Sequence, residues 1–73
     1  MYYLLNPLNK TVTARYDGYG DIELPPEEIS EFDNETIFNH ARKYLVDAII
    51  NQRGLVGYDH VREEIEKEVT KKF

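Results

Sequence analysis

Residues 11–24 read TVTARYDGYGDIEL, and this stretch indicates the fold more clearly than any other part of the chain. Its first half alternates apolar and polar residues, so that Val12, Ala14 and Tyr16 share one face of an extended segment. Its second half alternates two aliphatic residues with two acidic ones, and the glycines between the halves tolerate the positive φ angles of a tight turn. The stretch therefore predicts an antiparallel β-hairpin.

Two further patterns extend the predicted sheet and end it. Residues 2–5 form a short apolar and aromatic run, typical of a strand covered on both faces, and residues 6–9 supply turn formers. A three-stranded antiparallel meander is the expected result. Pro25 and Pro26 end its third strand, because proline has no N–H to donate. Pro26 also suits the first position of a short helical turn over residues 27–29.

The C-terminal half of the chain predicts two helices. The first begins after Asp33 or Asn34, either of which can cap exposed amides with a side-chain oxygen, and ends near Arg53 before a glycine. The second begins within residues 57–59 and carries apolar residues at helical spacing toward the C-terminus. We therefore expect one α+β domain spanning residues 1–73, in which a three-stranded antiparallel meander packs against two helices in the order βββαα.

Length and composition restrict the class of protein. A chain of 73 residues has room for one modest hydrophobic core, and the absence of cysteine excludes a disulfide framework and thiolate chemistry. We expect a soluble, cytoplasmic protein, since the sequence contains neither a membrane-spanning apolar run nor a signal-peptide pattern. The net charge of -5 repels polyphosphate on average, so direct binding of nucleic acid is disfavoured.

Charge is distributed unevenly along the chain. Residues 16–36 contain eight carboxylates and no lysine or arginine, whereas residues 37–73 contain seven basic and six acidic side chains. Like charges at this density persist best when they lie solvated on a surface or face a positive partner. We interpret the segment as a partner-binding surface formed by Asp17, Tyr19, Asp21, Glu23, Glu27, Glu28 and Glu31. In the alternative interpretation, these carboxylates are ordinary turn, cap and solvated residues.

A second candidate interface lies on the predicted long helix. Val46 and Ile50 project from the side opposite its core stripe. Arg42, Lys43 and Arg53 flank them. An apolar pair rimmed by cations suits an interface with another protein or with a second copy of the chain, so a homodimer is one expectation. In the alternative, the second helix covers the apolar pair and the long helix is buried on two sides.

The sequence gives little support for a metal site or for catalysis. Asp17, Asp21 and Glu23 supply oxygen ligands near a glycine turn, but their spacing does not reproduce a calcium-binding loop. Neither His40 nor His60 has a second histidine three to five residues away, as a zinc site of this kind requires. The single serine lies in no nucleophile arrangement, and no carboxylate pair lies where burial would separate two pKa values. We expect no metal, no cofactor and no enzymatic activity.

The acidic segment favours a non-enzymatic protein-interaction module that engages the basic surface of a nucleic-acid-handling protein, where its carboxylates imitate phosphates. An inhibitor encoded by a phage or another mobile element would have this character. The alternative is a small nucleic-acid-binding regulator, monomeric or dimeric, that uses Arg42, Lys43 and Arg53 on the long helix. A third hypothesis is that the carboxylates only keep a subunit in solution.

Overall fold

The computed structural model of the chain describes residues 1–18 and 20–72, and within them the chain forms five strands and two helices. In chain order they are β1 (Tyr2–Leu5), β2 (Val12–Tyr16), β3 (Gly20–Leu24), β4 (Ile29–Phe32), α1 (Glu35–Arg53), α2 (Asp59–Val69) and β5 (Thr70–Lys71). The predicted α+β class and the two predicted helices are confirmed. The strands, however, form two sheets rather than one.

The predicted hairpin is present. β2 and β3 pair in antiparallel register from Val12 opposite Leu24 to Tyr16 opposite Gly20. Gly18 and Gly20 have φ angles of 90° and 80°, which glycine adopts freely and other residues disfavour. The alternating apolar residues of both strands face the core, which is why the acidic residues between them face solvent.

The first strand does not join this hairpin. β1 instead lies in the middle of a three-stranded antiparallel sheet with the order β4-β1-β5. Its register with β4 sets Tyr2 opposite Phe32, and both rings pack against Phe38 of α1 at centroid distances of 5.0 and 6.2 Å. The predicted meander of β1, β2 and β3 therefore needs correction, because burial of this aromatic cluster favours β4 as the neighbour of β1.

The segment after Pro26 also differs from the prediction. Instead of a helical turn over residues 27–29, the chain turns at Pro26 and Glu27 and enters β4 at Ile29. Glu27 has a φ angle of 57°, in the left-handed region, so a right-handed helical turn cannot pass through it. The extended backbone that follows lets Phe32 reach the core.

The helix α1 supplies the largest part of the core and packs against both sheets and α2. Asn34 caps it, because its side-chain oxygen accepts a hydrogen bond from the Ile37 N–H at 3.1 Å. Gly54 ends it in the left-handed conformation, with a φ angle of 69°. The buried hydrophobic residues are Leu4, Leu8, Val12, Ala14, Leu24, Phe38, Ala41, Leu45, Val46, Ile49, Ile65 and Val69.

A histidine holds the hairpin against α1. His40 Nε2 donates a hydrogen bond to the backbone carbonyl of Arg15. Its ring packs edge-on against Tyr16 at a centroid distance of 4.5 Å and lies tilted against Tyr44 at 5.1 Å. The contact fixes the end of β2, and with it the start of the hairpin turn, on the helix.

One buried polar side chain joins the two sheets. Asn6, which is 1% exposed, follows β1 and donates from Nδ2 to the carbonyl oxygens of Leu24 and Lys10, both at 2.9 Å. Its Oδ1 accepts from the Leu8 N–H at 3.0 Å, and its backbone N–H donates to the Glu28 carbonyl at 3.1 Å. Both N–H groups and the oxygen of the amide are thus engaged, as a buried amide requires. Asn6 fixes the end of β1 to the end of β3 and to the loop that leads into β2.

Replacing Asn6 is expected to weaken the whole fold. Asn6→Ala removes three side-chain hydrogen bonds and leaves their backbone partners unsatisfied, so we expect the free energy of unfolding to fall by about 2 to 4 kcal/mol. Urea denaturation followed by circular dichroism measures this change. Asn9→Ala, at an exposed position, is the control and should change the value by less than about 0.5 kcal/mol. Equal stability of the Asn6→Ala and wild-type proteins would contradict the role assigned to Asn6.

Candidate functional site

The acidic segment, residues 17–35, keeps its carboxylates at the surface. Burying one of them would require a compensating partner, because moving an unpaired charge out of water is strongly unfavourable. The fold places all of them on turns, at helix α1's start, or on outward strand faces. The exposed acidic residues of the segment are Asp17, Asp21, Glu23, Glu27, Glu28, Glu31, Asp33 and Glu35.

Strand alternation explains where the predicted partner-binding residues lie. In β3, Ile22 and Leu24 face the core, so Asp21 and Glu23 share the outward face of the hairpin. In β4 the outward face carries Glu31. The other members lie in the turns before and after β3, and they are Asp17, Glu27 and Glu28. Tyr19, the predicted aromatic member, lies outside the described residues.

Within residues 1–18 and 20–72, no lysine or arginine forms an ion pair with the acidic segment. The ion pairs in this part of the chain are Arg53–Glu68, at 2.8 Å, and Arg62–Asp47. Both connect α1 with α2. The ion pairs of the described residues therefore lie within the helical half, and the carboxylates of the acidic segment take part in none of them.

Two polar groups come close to this surface. The Tyr2 hydroxyl donates to Glu35 Oε2 at 3.3 Å. Arg15 stands directly opposite Asp21 in the hairpin register, where cross-strand side chains are neighbours. Arg15 therefore offsets part of the negative charge on the hairpin face, although the two side chains form no ion pair.

The second predicted patch does not form a free apolar surface. Val46 is 0% exposed and belongs to the core with Ile65 and Val69 of α2, and Ile50 is half-buried against the same core. The prediction that this pair projects outward needs correction, and the alternative, in which α2 packs on this side of α1, is the arrangement found. A domain of this size needs such apolar contacts for its own stability.

Arg53, a cation of that patch, is bound to Glu68. Its guanidinium donates two parallel hydrogen bonds, Nη1 to Oε1 at 3.0 Å and Nη2 to Oε2 at 2.8 Å. These charge-assisted bonds hold the pKa of the Glu68 carboxyl below its ordinary value and raise the pKa of Arg53. The pair fastens the C-terminal end of α1 to α2.

Arg42 and Lys43 complete the patch without forming a shared basic face. Arg42 lies over the Phe38 ring at 5.0 Å from its centroid and donates to Asn39 at 3.1 Å and to Thr70 at 3.4 Å. Lys43 is exposed. Arg42 also borders a cleft of about 590 Å³ in which both signs of charge occur. Its lining residues are Arg42, Glu63, Glu66, Lys67, Thr70, Lys71 and Lys72.

Sequence patterns missed one residue of this surface, Ile29. It opens β4 on the outward face and is 49% exposed, although its side chain is large and apolar. One feature of the sequence could have indicated Ile29, since it is the only isoleucine, leucine or valine between Pro25 and Thr36. Ile29 is therefore an exposed aliphatic side chain among carboxylates, and protein interfaces combine apolar and polar contacts of this kind.

Comparison of the chain with protein-family models, with curated proteins and with solved structures finds no match. Within the described ranges, no helix combines the length and the apolarity needed to cross a bilayer. The same ranges contain no group of three or more histidine, aspartate or glutamate side chains arranged to hold a metal ion. The candidate site is the acidic segment, because its carboxylates are exposed and form no ion pair with a described lysine or arginine.

Removal of the Glu68 charge is expected to give a small loss of stability that depends on pH. Because its folded-state pKa is lowered, Glu68 contributes stability above the pKa of the unfolded chain and loses it as the pH falls through the folded pKa. Glu68→Gln should lower the free energy of unfolding at pH 7 by about 0.2 to 1 kcal/mol, since the pair is partly exposed. Denaturant titrations at pH 7 and through the acid range measure the difference, which should vanish at low pH. Glu64→Gln, an exposed position without an ion pair, is the control. A difference that persists unchanged at low pH would contradict this account.

Proposed function

We propose that the protein is a non-enzymatic interaction module whose acidic segment binds a positively charged surface of another protein. One observation carries this proposal: all eight carboxylates of residues 17–35 are exposed, and none forms an ion pair with a described lysine or arginine. The ion pairs among the described residues lie elsewhere, where they join Asp47 and Glu68 of the helical half to arginines.

The energetics of the segment favour a charged partner. Two like charges about 4 Å apart in water repel by about 1 kcal/mol, so the exposed carboxylates destabilise the isolated domain only slightly. A cationic surface converts this repulsion into attraction and accelerates encounter by electrostatic steering. The interaction is screened by salt, because the Debye length is about 8 Å at physiological ionic strength.

The chemistry of the segment also suggests the class of partner. The carboxylates of the segment are spaced along the chain, and no lysine or arginine stands between them. To another protein they offer the same sign of charge as a nucleic-acid backbone. A protein that handles nucleic acid has a basic surface suited to them. We propose such a protein as the partner, with the module acting as its inhibitor, and a phage or another mobile element as the source of the inhibitor.

The alternative hypothesis, a regulator that binds nucleic acid through the long helix, receives less support from the geometry. Arg53 forms a bidentate ion pair with Glu68. Arg42 stacks over the Phe38 ring and donates two side-chain hydrogen bonds. Lys43 alone remains as an exposed cation of the three. One exposed lysine does not provide the basic stripe that phosphate binding uses.

Charge neutralisation tests the proposed function. The partner is captured from a lysate of the native host and identified by mass spectrometry, and its affinity is then measured against purified variants. Glu27→Gln/Glu28→Gln/Glu31→Gln should weaken binding at least about tenfold, and raising the salt from about 0.05 to about 0.5 M should weaken it further. The matched control Glu63→Gln/Glu64→Gln/Glu66→Gln removes the same charge from α2 and should change affinity less than about twofold.

Two outcomes would contradict the proposed function. One is an equal loss of affinity in both triple variants, since this would show that net charge matters and the acidic segment does not. The other is a gel shift of the isolated protein with DNA or RNA that Arg42→Ala/Arg53→Ala abolishes, which would support the nucleic-acid-binding regulator instead.

A further inference from the structure

The strand β4 is an open edge of its sheet. In the order β4-β1-β5, β4 pairs with β1 only, and none of the backbone hydrogen bonds of the described residues joins its other side to a second strand. An edge of this kind presents N–H and C=O groups that can pair with another extended chain.

The hydrogen bond of Asn6 shows which groups of β4 are unpaired. In an antiparallel pair, opposed residues alternate between exchanging hydrogen bonds and exchanging none. The Asn6 N–H donates to the Glu28 carbonyl, one step beyond the pairing of Leu5 with Ile29. The residues that exchange bonds with β1 are therefore Glu28, Ser30 and Phe32. Ile29 and Glu31 direct their N–H and C=O groups away from β1, toward the open edge.

The side chains of these two residues define what the edge can accept. Ile29 and Glu31 both lie on the outward face, and both are exposed. An added strand would place one side chain opposite the carboxylate and another, two residues away, opposite the isoleucine. The edge therefore suits a basic residue and an apolar residue at alternate positions. The outward face of β3 lacks this pairing, because its two side chains, Asp21 and Glu23, are both acidic.

A second copy of the chain is a poor occupant of this edge. Two β4 strands related by a two-fold axis at Ser30 would set the Glu31 carboxylate against the apolar Ile29. An axis at Glu31 would set two carboxylates directly opposite each other, which is destabilising. An axis at Ile29 would pair the two isoleucines but would set the Glu31 carboxylate opposite Glu27 of the other copy, which is again two like charges. All three arrangements also bring together two acidic segments with eight carboxylates each. Charge complementarity selects a basic strand from a different protein.

We propose that β4 is the docking edge for an extended basic segment of the partner protein, which adds to the sheet as an antiparallel strand with a lysine or arginine opposite Glu31 and an aliphatic residue opposite Ile29. This inference rests on the proposed function and specifies how the acidic segment recognises its partner. Main-chain hydrogen bonds to Ile29 and Glu31 supply one part of the affinity, and the surrounding carboxylates select positive charge.

A synthetic peptide tests the inference on the 73-residue chain. The probe is acetylated and amidated Ser-Thr-Lys-Thr-Val-Thr-Lys-Thr, which places lysine opposite Glu31 and valine opposite Ile29. Binding is followed by NMR of the ¹⁵N-labelled protein, together with amide hydrogen exchange. We expect exchange at the Ile29 and Glu31 amides to slow at least about tenfold, because strand addition gives these N–H groups acceptors that they lack in the free protein.

N-methylated peptides separate strand addition from attraction between charges. In one peptide, the backbone nitrogens of the valine and of the lysine opposite Glu31 are methylated. This removes the two N–H donors that face β4 and preserves every charge, so the affinity should fall at least about tenfold. Methylating the threonine between them is the control, because its N–H points away from β4, and it should change the affinity less than about twofold.

A protein variant makes the complementary test. Ile29→Pro removes one edge donor, and an edge strand tolerates proline where the N–H faces solvent. Peptide affinity should fall at least about tenfold, whereas Ile29→Val, which keeps the N–H, should bind within about threefold of wild type. If Ile29→Pro does not fold, the methylated peptides decide the question on the wild-type protein.

Three results would overturn the inference. Equal binding of the methylated and unmethylated peptides would show that charge alone acts, which leaves the proposed function intact and removes the strand. Absence of binding by the unmethylated peptide would also exclude strand addition. Slow exchange at Ile29 and Glu31 in the free protein, together with a dimer in sedimentation, would assign the edge to a second copy. Loss of the proposed function itself is detected separately, by the two triple variants and the captured partner.

Discussion

The buried amide of Asn6 is the interaction on which the rest of this structure depends. The two sheets are small, and a two-stranded hairpin such as β2–β3 is only marginally stable by itself. Asn6 joins them by bonding to the carbonyl of Leu24 at the end of β3 while its own N–H bonds to Glu28. The second bond also shows which residue pairs of β1 and β4 exchange backbone hydrogen bonds. The side chain of Asn6 thereby determines how the two sheets meet, and its backbone N–H marks which groups of β4 pair with β1 and which face outward.

Charge follows the same division between the two halves of the chain. In the helices, cations meet carboxylates within the molecule, and the Arg53–Glu68 pair ties α1 to α2. Arg42 is held by the Phe38 ring, so even this cation contributes to packing. The strands and turns of residues 17–35 contain no lysine or arginine that could do the same. The asymmetry seen in the sequence is therefore preserved in the folded protein as an unpaired acidic surface.

Local patterns predicted those parts of the fold that local interactions decide. The alternation around Ala14 and the glycine turn predicted the hairpin, and the choice of Asp33 or Asn34 as cap is resolved in favour of Asn34. The partner of β1 depends on contacts far apart in the chain, and no local pattern contains them. β4 was not predicted, because the proline pair and the two glutamates after it favour the first turn of a helix. The exposure of the carboxylates was predictable, whereas the open edge beside them required the strand order.

The open edge and the carboxylates are best explained together. Unpaired strand edges promote association between copies, and proteins commonly protect them by keeping the strand short and placing charges on it. β4 has four residues and carries Glu31, so it has both protections against its own copies. The charge protects through repulsion of like charge, and this protection disappears when the incoming strand is basic. A role in solubility alone does not explain why the carboxylates lie beside an exposed Ile29 and the unpaired backbone groups of a strand edge. The charge that opposes self-pairing is therefore the same feature that, in the proposal, selects a basic strand at this edge.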